Sequence, residues 1–176
     1  MQTARRPAPL PIDLTPPLCP QGADGRIEGY ACLFERVDLG RDVIARGAFA
    51  HSLAQRGVGG VRLLYQHDPA EPIGVWHEIR EDALGLYVRG ELALDVKRAR
   101  EVMNLVRVGA LDGLSIGFKA VSARTDPRSR VRRIARIDLW EVSIVTFPMQ
   151  PDARIAPAAA SSRPLRAASP QPRTAP

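Results

Sequence analysis

Leu111–Ala123, LDGLSIGFKAVSA, and Val131–Phe147, VRRIARIDLWEVSIVTF, decide the fold class. They read as two long strands joined as a hairpin across an arginine-rich loop. In the first strand Leu114 and Ile116 point one way and Ser115 the other, because side chains alternate across a strand. Upstream, RIEGYACLF (Arg26–Phe34), VRLLYQH (Val61–His67), PIGVWHEIR (Pro72–Arg80) and GLYVRGELAL (Gly85–Leu94) also read as strands. Turns are expected at Asp68–Pro69 and over Glu81–Gly85, making the last two runs an antiparallel hairpin. GAFAHSLAQRG (Gly47–Gly57) predicts a short helix closed by its glycine. Asp95 predicts the N-cap of a second helix, with Val96, Ala99, Val102, Met103 and Val106 on one face and Gly109 at its end. The sum is a mainly β chain with a few helices (α+β), a small mixed barrel. No internal repeat is visible.

The chain has 176 residues, 45% of them hydrophobic, which fits one domain with a sizeable core. Residues 1–24 are proline-rich and residues 156–176 are built from Ala, Pro, Arg and Ser. Both lack periodic apolar positions and predict disordered tails around a folded part from Gly25 to Ile155. The formal charge is +6, carried by arginine apart from Lys97 and Lys119. Aromatic residues are only 5% and no basic stripe alternates with stacking residues, which argues against a nucleic-acid partner. The clearest basic cluster, Arg128, Arg130, Arg132 and Arg133, reads as a solvated hairpin loop. Cys19 and Cys32 form no disulfide framework, which fits a cytosolic origin. Neither the apolar core of a signal peptide nor a stretch of transmembrane length is present, so no membrane association is expected.

Three histidines exist. His51 reads as a surface helical residue and His77 as an exposed one beside Glu78. His67 ends an apolar strand where a turn begins, so its ring combines a fixed orientation with access, as a general base requires. Ser115 lies between Gly113 and Gly117, which leave room for a peptide backbone to approach. This is not the Gly-x-Ser-x-Gly elbow, because the spacing differs and no strand-to-helix turn follows. Taken singly, His67 and Ser115 each read first as structural residues. Glu141 is a charge inside an apolar strand, costly there unless paired. Asp138, Glu91 and Asp68 compete with it as an acid that would orient an imidazole. Ser143 shares a face with Glu141 and can also be read as a structural hydroxyl. No Cys or His pair has metal-ligand spacing, and no phosphate loop or dinucleotide fingerprint is present, so neither metal nor cofactor is expected.

Read in order, GYACLFERVD, VIARGAFAHSL, LLYQHDPAEPIGV, GLYVRGEL, GALDGLSIGF and LWEVSIVTFPMQPDA resemble the prohead (capsid maturation) protease family of tailed phages and gene transfer agents. The likeness runs from about Ile27 to Asp152. That family is similar in fold to herpesvirus assemblin, a β-barrel wrapped by helices. The resemblance implies a serine endopeptidase with His67 as base and Ser115 as nucleophile. Herpesvirus enzymes use a second histidine after the serine; none follows His77 here, so Glu141 takes the third place. It also implies cleavage of the scaffolding region of the major capsid protein, and of the protease itself, inside the assembling procapsid in the producing cell's cytoplasm. Self-association there would fit. The oxyanion donors are not located, although the FPMQPD stretch is a candidate. Two other readings compete. One is a catalytically silent head or tail-tube-like protein with the same barrel. The other is a basic internal head protein that touches DNA, which salt-dependent duplex binding would reveal.

Overall fold

The computed structural model describes residues 24–156, and the statements below concern those residues. In chain order the elements are β1 (Arg26–Leu33), β2 (Asp42–Ile44), α1 (Ala50–Arg56), a 3-10 turn (Val58–Gly60), β3 (Arg62–Tyr65), β4 (Asp68–Glu81), β5 (Gly85–Leu92), α2 (Lys97–Arg107), β6 (Gly113–Thr125) and β7 (Arg132–Val145). The mainly β class with few helices matches the expectation. The predicted tails, apart from Asp24 and Ala156, and Cys19 lie outside the described residues.

The strands form one seven-stranded sheet in the order β1-β5-β4-β3-β7-β2, with β6 paired to β7. β7 is the axis of the construction. Along one edge it carries β6, antiparallel, from Gly113↔Val145 to Thr125↔Arg132. Along the other it carries β2 at Arg132–Ile134 and β3 at Glu141–Ile144, both parallel. The gap between them is filled from the α1 region. Ile137 donates its N–H to the Ala48 carbonyl, and Leu139 donates to the Ser52 hydroxyl (both 2.9 Å). The long strand thus leaves few backbone groups unpaired in an apolar setting. The sheet curls until its two ends are stitched together. Ala156 donates to Glu28 on β1 (2.7 Å), while Leu114 on β6 donates to Ala153 (2.9 Å). Gly29 is needed for that stitch, because a Cβ there would lie 2.2 Å from the Arg154 carbonyl oxygen.

The core lies inside the curl, with Ile27, Leu63, Ile73, Leu86, Val88, Leu114, Ile137, Leu139, Val142 and Ile144 fully buried. α2 covers β4 and β5 with Ala99, Val102, Met103 and Val106, four of the five residues that helical spacing predicts for that face, while Val96 precedes the helix and is exposed. The predicted cap differs. The N-cap is Val96, with no side-chain bond, because the Val96 N–H closes a turn onto Ala93 (2.8 Å) and the helix starts one residue late. The short edge strand β2 was not expected. The turn assigned to Asp68–Pro69 falls instead on Gln66–His67, and β4 begins at Asp68. Of the arginine cluster, Arg132 pairs with Asp42 (2.8 Å) and Arg133 with Glu35 (2.7 Å) on β7, so only Arg128 and Arg130 belong to the loop proper.

The β4–β5 turn is pinned by one carboxylate. Asp82 accepts from the Leu84 N–H (2.8 Å), the Gly85 N–H (3.2 Å), the Tyr30 hydroxyl (2.8 Å) and Arg80 (2.8 Å). Burial works against its charge, but these donors outweigh it and hold the carboxyl at about 2, below its ordinary 3.8. A depressed carboxylate contributes stability above its ordinary value and loses it as pH falls through the folded one. Thermal melts of the wild type should therefore lose a component between pH 3.8 and about 2. Asp82→Ala should lack that component and cost about 1–3 kcal/mol at neutral pH, as two turn amides lose their acceptor.

Candidate functional site

The β3–β4 connection is a two-residue hairpin turn, Gln66–His67, between the paired residues Tyr65 and Asp68. Both central residues have positive φ, +54° and +60°, as a type I′ turn requires. Asn-Gly is the usual choice there; a side chain in this region costs about 1–2 kcal/mol per residue. Several hydrogen bonds hold the strained turn. The Gln66 N–H donates to Ile144 (3.0 Å), its amide donates to the Thr146 hydroxyl (2.6 Å), and the Thr146 N–H returns to Gln66 Oε1 (3.3 Å). The His67 N–H donates to Ser143 Oγ (3.2 Å). The result is an imidazole carried on a fixed loop with 41% of its side chain exposed.

Glu141 is the opposite kind of group, a carboxylate with only 12% of its side chain exposed. Both of its oxygens are used. Oε1 lies 2.6 Å from His67 Nδ1, and Oε2 accepts the Ser143 hydroxyl proton at 2.6 Å. An ionised carboxylate can only accept, so Nδ1 carries the proton of the first bond and the lone pair of the neutral ring sits on Nε2. Space for the carboxylate comes from the neighbouring strand. Gly117 pairs with Glu141, and a Cβ on Gly117 would lie 1.9 Å from Oε1. Ser115 pairs with Ser143 in the same ladder, so Ser115, Gly117, Glu141 and Ser143 share one face of the β6–β7 pair.

Ser115 is buried to 5% exposure, and among the described residues its hydroxyl makes no hydrogen bond, to His67 or to any other group. The structure therefore joins His67 directly to Glu141 and sets Ser115 one side chain away, opposite Ser143. A cavity of about 260 Å³ reaches Ser115, lined on its apolar side by Leu114, Ile116, Phe118, Cys32, Ile44 and Met149. Cys32 is a free thiol in that lining. Burial, reinforced by the charges of Asp38 and Glu81, pushes it up to about 12, so it stays protonated and offers no thiolate nucleophile.

The other candidates are engaged elsewhere. Asp138 accepts from Arg56 (2.6 Å) and the Trp140 indole (2.7 Å), Asp68 accepts from the Ala70 N–H on its own strand (2.8 Å), and Glu91 faces His77 (3.6 Å). His51 is exposed on α1. In the FPMQPD stretch, Gln150 is fixed to both main-chain groups of Leu33, donating to its carbonyl at 2.9 Å. No cluster of three metal-ligating side chains occurs among the described residues, and no helix there is long and apolar enough to cross a membrane. Sequence reasoning placed Ser143 on the Glu141 face but not its bond to the His67 N–H, and it missed the strained Gln66–His67 turn. Gly117→Ala is expected to push the Glu141 carboxylate off His67. A crystal structure of the variant should show the Nδ1–Oε1 pair separated, and chemical denaturation should show a loss of about 1–3 kcal/mol.

Known proteins share this arrangement of segments. The chain is 35% identical over 140 residues to the prohead protease of Enterobacteria phage HK97, covering 77% of this chain and 60% of that protein. It is 29% identical over 128 residues to the prohead protease of Escherichia phage T5, covering 72% and 60%. The chain thus spans about 60% of the length of these curated relatives. The solved capsid assembly protease of bacteriophage T4 superposes with a TM-score of 0.58 at 15% identity, over 70% of this chain and 82% of that one, which shows a shared fold. The family described as caudovirus prohead serine protease matches residues 18–167, a span that holds every strand of the curled sheet and the whole Glu141 face, and the chain belongs to that family.

Proposed function

We propose that this chain is a serine endopeptidase of procapsid maturation, with Ser115 as nucleophile, His67 as base and Glu141 as the group that orients the base. The observation that carries the reading is the 2.6 Å contact between His67 Nδ1 and the buried Glu141 carboxylate. It leaves Nε2 as the free lone pair on a half-exposed ring, which is what a general base needs. A silent barrel has no use for a strained turn that presents such an imidazole to solvent.

The chemistry is acyl transfer. Ser115 Oγ attacks the scissile carbonyl carbon while His67 Nε2 takes its proton, giving a tetrahedral oxyanion and an imidazolium. Glu141 balances that positive charge across the Nδ1–H bond and stays ionised. The imidazolium then protonates the leaving amine nitrogen as the C–N bond breaks, leaving an ester on Ser115. Water, deprotonated by Nε2, attacks the ester carbon, and as the acyl C–O bond breaks the imidazolium returns its proton to Ser115 Oγ and the new C-terminus leaves. Among the described residues no hydrogen bond joins His67 to Ser115, and substrate binding is expected to close that gap, as catalytic bonds often tighten only in the complex. The cavity that reaches Ser115 has an apolar side and a polar one, with Asp38, Asp42, Arg132 and Gln150 in its lining, and is suited to a substrate side chain.

The proposed substrates are the scaffolding region of the major capsid protein and the chain itself, cleaved inside the assembling particle. Co-expression with a candidate capsid protein, followed by product masses, tests this. Ser115→Ala should abolish processing with a far-UV spectrum and melting temperature close to wild type, whereas His67→Ala should abolish it and also melt lower, because Glu141 Oε1 loses its partner. Glu141→Gln should retain a trace, on the order of 10⁴-fold slower, because the ring can then adopt the wrong tautomer. Capsid protein still processed by Ser115→Ala would sink the assignment.

A further inference from the structure

We propose that Ser143 is a positioning residue of this site, a single hydroxyl that aims His67 from two sides. The inference rests on the roles given above to His67, Glu141 and Ser115.

Ser143 is fully buried, at 0% exposure, on the strand that carries Glu141. Two residues apart on a strand, their side chains emerge on one face. Its Oγ lies 2.6 Å from Glu141 Oε2 and 3.2 Å from the His67 backbone nitrogen. The direction of both bonds is forced. An ionised carboxylate has no proton to give, so the single hydroxyl proton of Ser143 points at Oε2. A lone pair of the same oxygen then accepts the His67 N–H. The result is a closed ring of bonds. It runs from the His67 N–H to Ser143, from Ser143 to Oε2, across the carboxylate to Oε1, and from Oε1 to the His67 Nδ1–H.

That ring does two things a lone Glu–His bond cannot. It ties the imidazole to its own backbone through a third residue, fixing the ring plane relative to the turn. It also holds the His67 N–H in a turn whose φ values of +54° and +60° would otherwise relax. A buried serine engaged only in packing, or bonded back to its own strand, would do neither. Here both partners of the hydroxyl are groups of the proposed site. Ser143 also stands directly opposite Ser115 in the β6–β7 register, so any shift of the ring is felt beside the nucleophile.

Removing the hydroxyl leaves Oε2 and the His67 N–H unpaired, and the imidazole free to swing. The expected signature is a slower reaction at Ser115 rather than a lost fold. Full-length protein is treated with a fluorophosphonate probe, the labelled residue is mapped by mass, and the labelling rate constant is compared across variants. Labelling should fall on Ser115. Ser143→Ala should slow it about 10- to 100-fold, by analogy with the loss of groups that orient metal-bound histidines. Ser143→Cys keeps the volume with a poor hydrogen-bonding group and should be slowed similarly, which separates hydrogen bonding from packing if the alanine variant folds badly. Ser143→Thr keeps the hydroxyl and should recover to within about threefold. In a Glu141→Ala background, adding Ser143→Ala should change the rate less than about twofold, because the two act as one unit. Ser143→Ala or Ser143→Cys labelling Ser115 at the wild-type rate overturns this role while leaving the nucleophile assignment intact. Labelling that persists in Ser115→Ala overturns the nucleophile assignment and this role with it.

Discussion

A carboxylate nearly out of water must find a partner for each oxygen, and that requirement at Glu141 organises everything around it. Its side chain is 12% exposed, far too little for water to do the work. Gly117 clears the space, Ser143 meets one oxygen, and His67 meets the other. An ion buried with neither partner would cost several kcal/mol, so the site's geometry and the stability of the β6–β7 pair are one problem. The chain solves it with groups that are also suited to chemistry. The protected carboxylate sets the tautomer, and the half-exposed ring is left with a free nitrogen.

The fold delivers these groups from distant stretches of chain. β7 supplies Glu141 and Ser143, β6 supplies Ser115 and Gly117, and the turn after β3 supplies His67. The parallel pairing of β3 with Glu141–Ile144 puts the end of β3 within reach of Ser143 and Thr146. A slip of one residue in that register would send Glu141 and Ser143 to the core face and Val142 to the site. The apolar residues Val142 and Ile144, at 0% exposure, fix the register against such a slip. Core packing thereby sets the distances at the site.

Much of this is readable in the sequence, and what is not has a physical reason. Strands with local partners (β4, β5, β6 and β7) and the buried face of α2 show in spacing alone. Glu141 stood out because a charge in LWEVSIV demands a partner. The edge strand β2, three residues long, carries too little pattern to show, and its parallel pairing with β7 is set by contacts about ninety residues apart. Asp95 looks like a cap, but the preceding turn at Ala93 moves the helix start past it. The Gln66–His67 turn defied reading because neither residue favours positive φ, and the Asp-Pro beside it is the stronger turn signal. Tertiary bonds to Ile144, Thr146 and Ser143 override local preference there. Ser143 looked like an ordinary strand serine because its partners are defined only once β3 lies beside β7.

Glu141 holds His67 with its proton on Nδ1 and its lone pair on Nε2. Nitrogen-15 correlation spectra of the imidazole, recorded with the ring neutral and assigned by comparison with His67→Gln, report the tautomer directly. The expected spectrum shows a protonated Nδ1 and a bare Nε2, with that pattern lost in Glu141→Ala. A ring protonated on Nε2, or one whose tautomer is indifferent to Glu141, would contradict it.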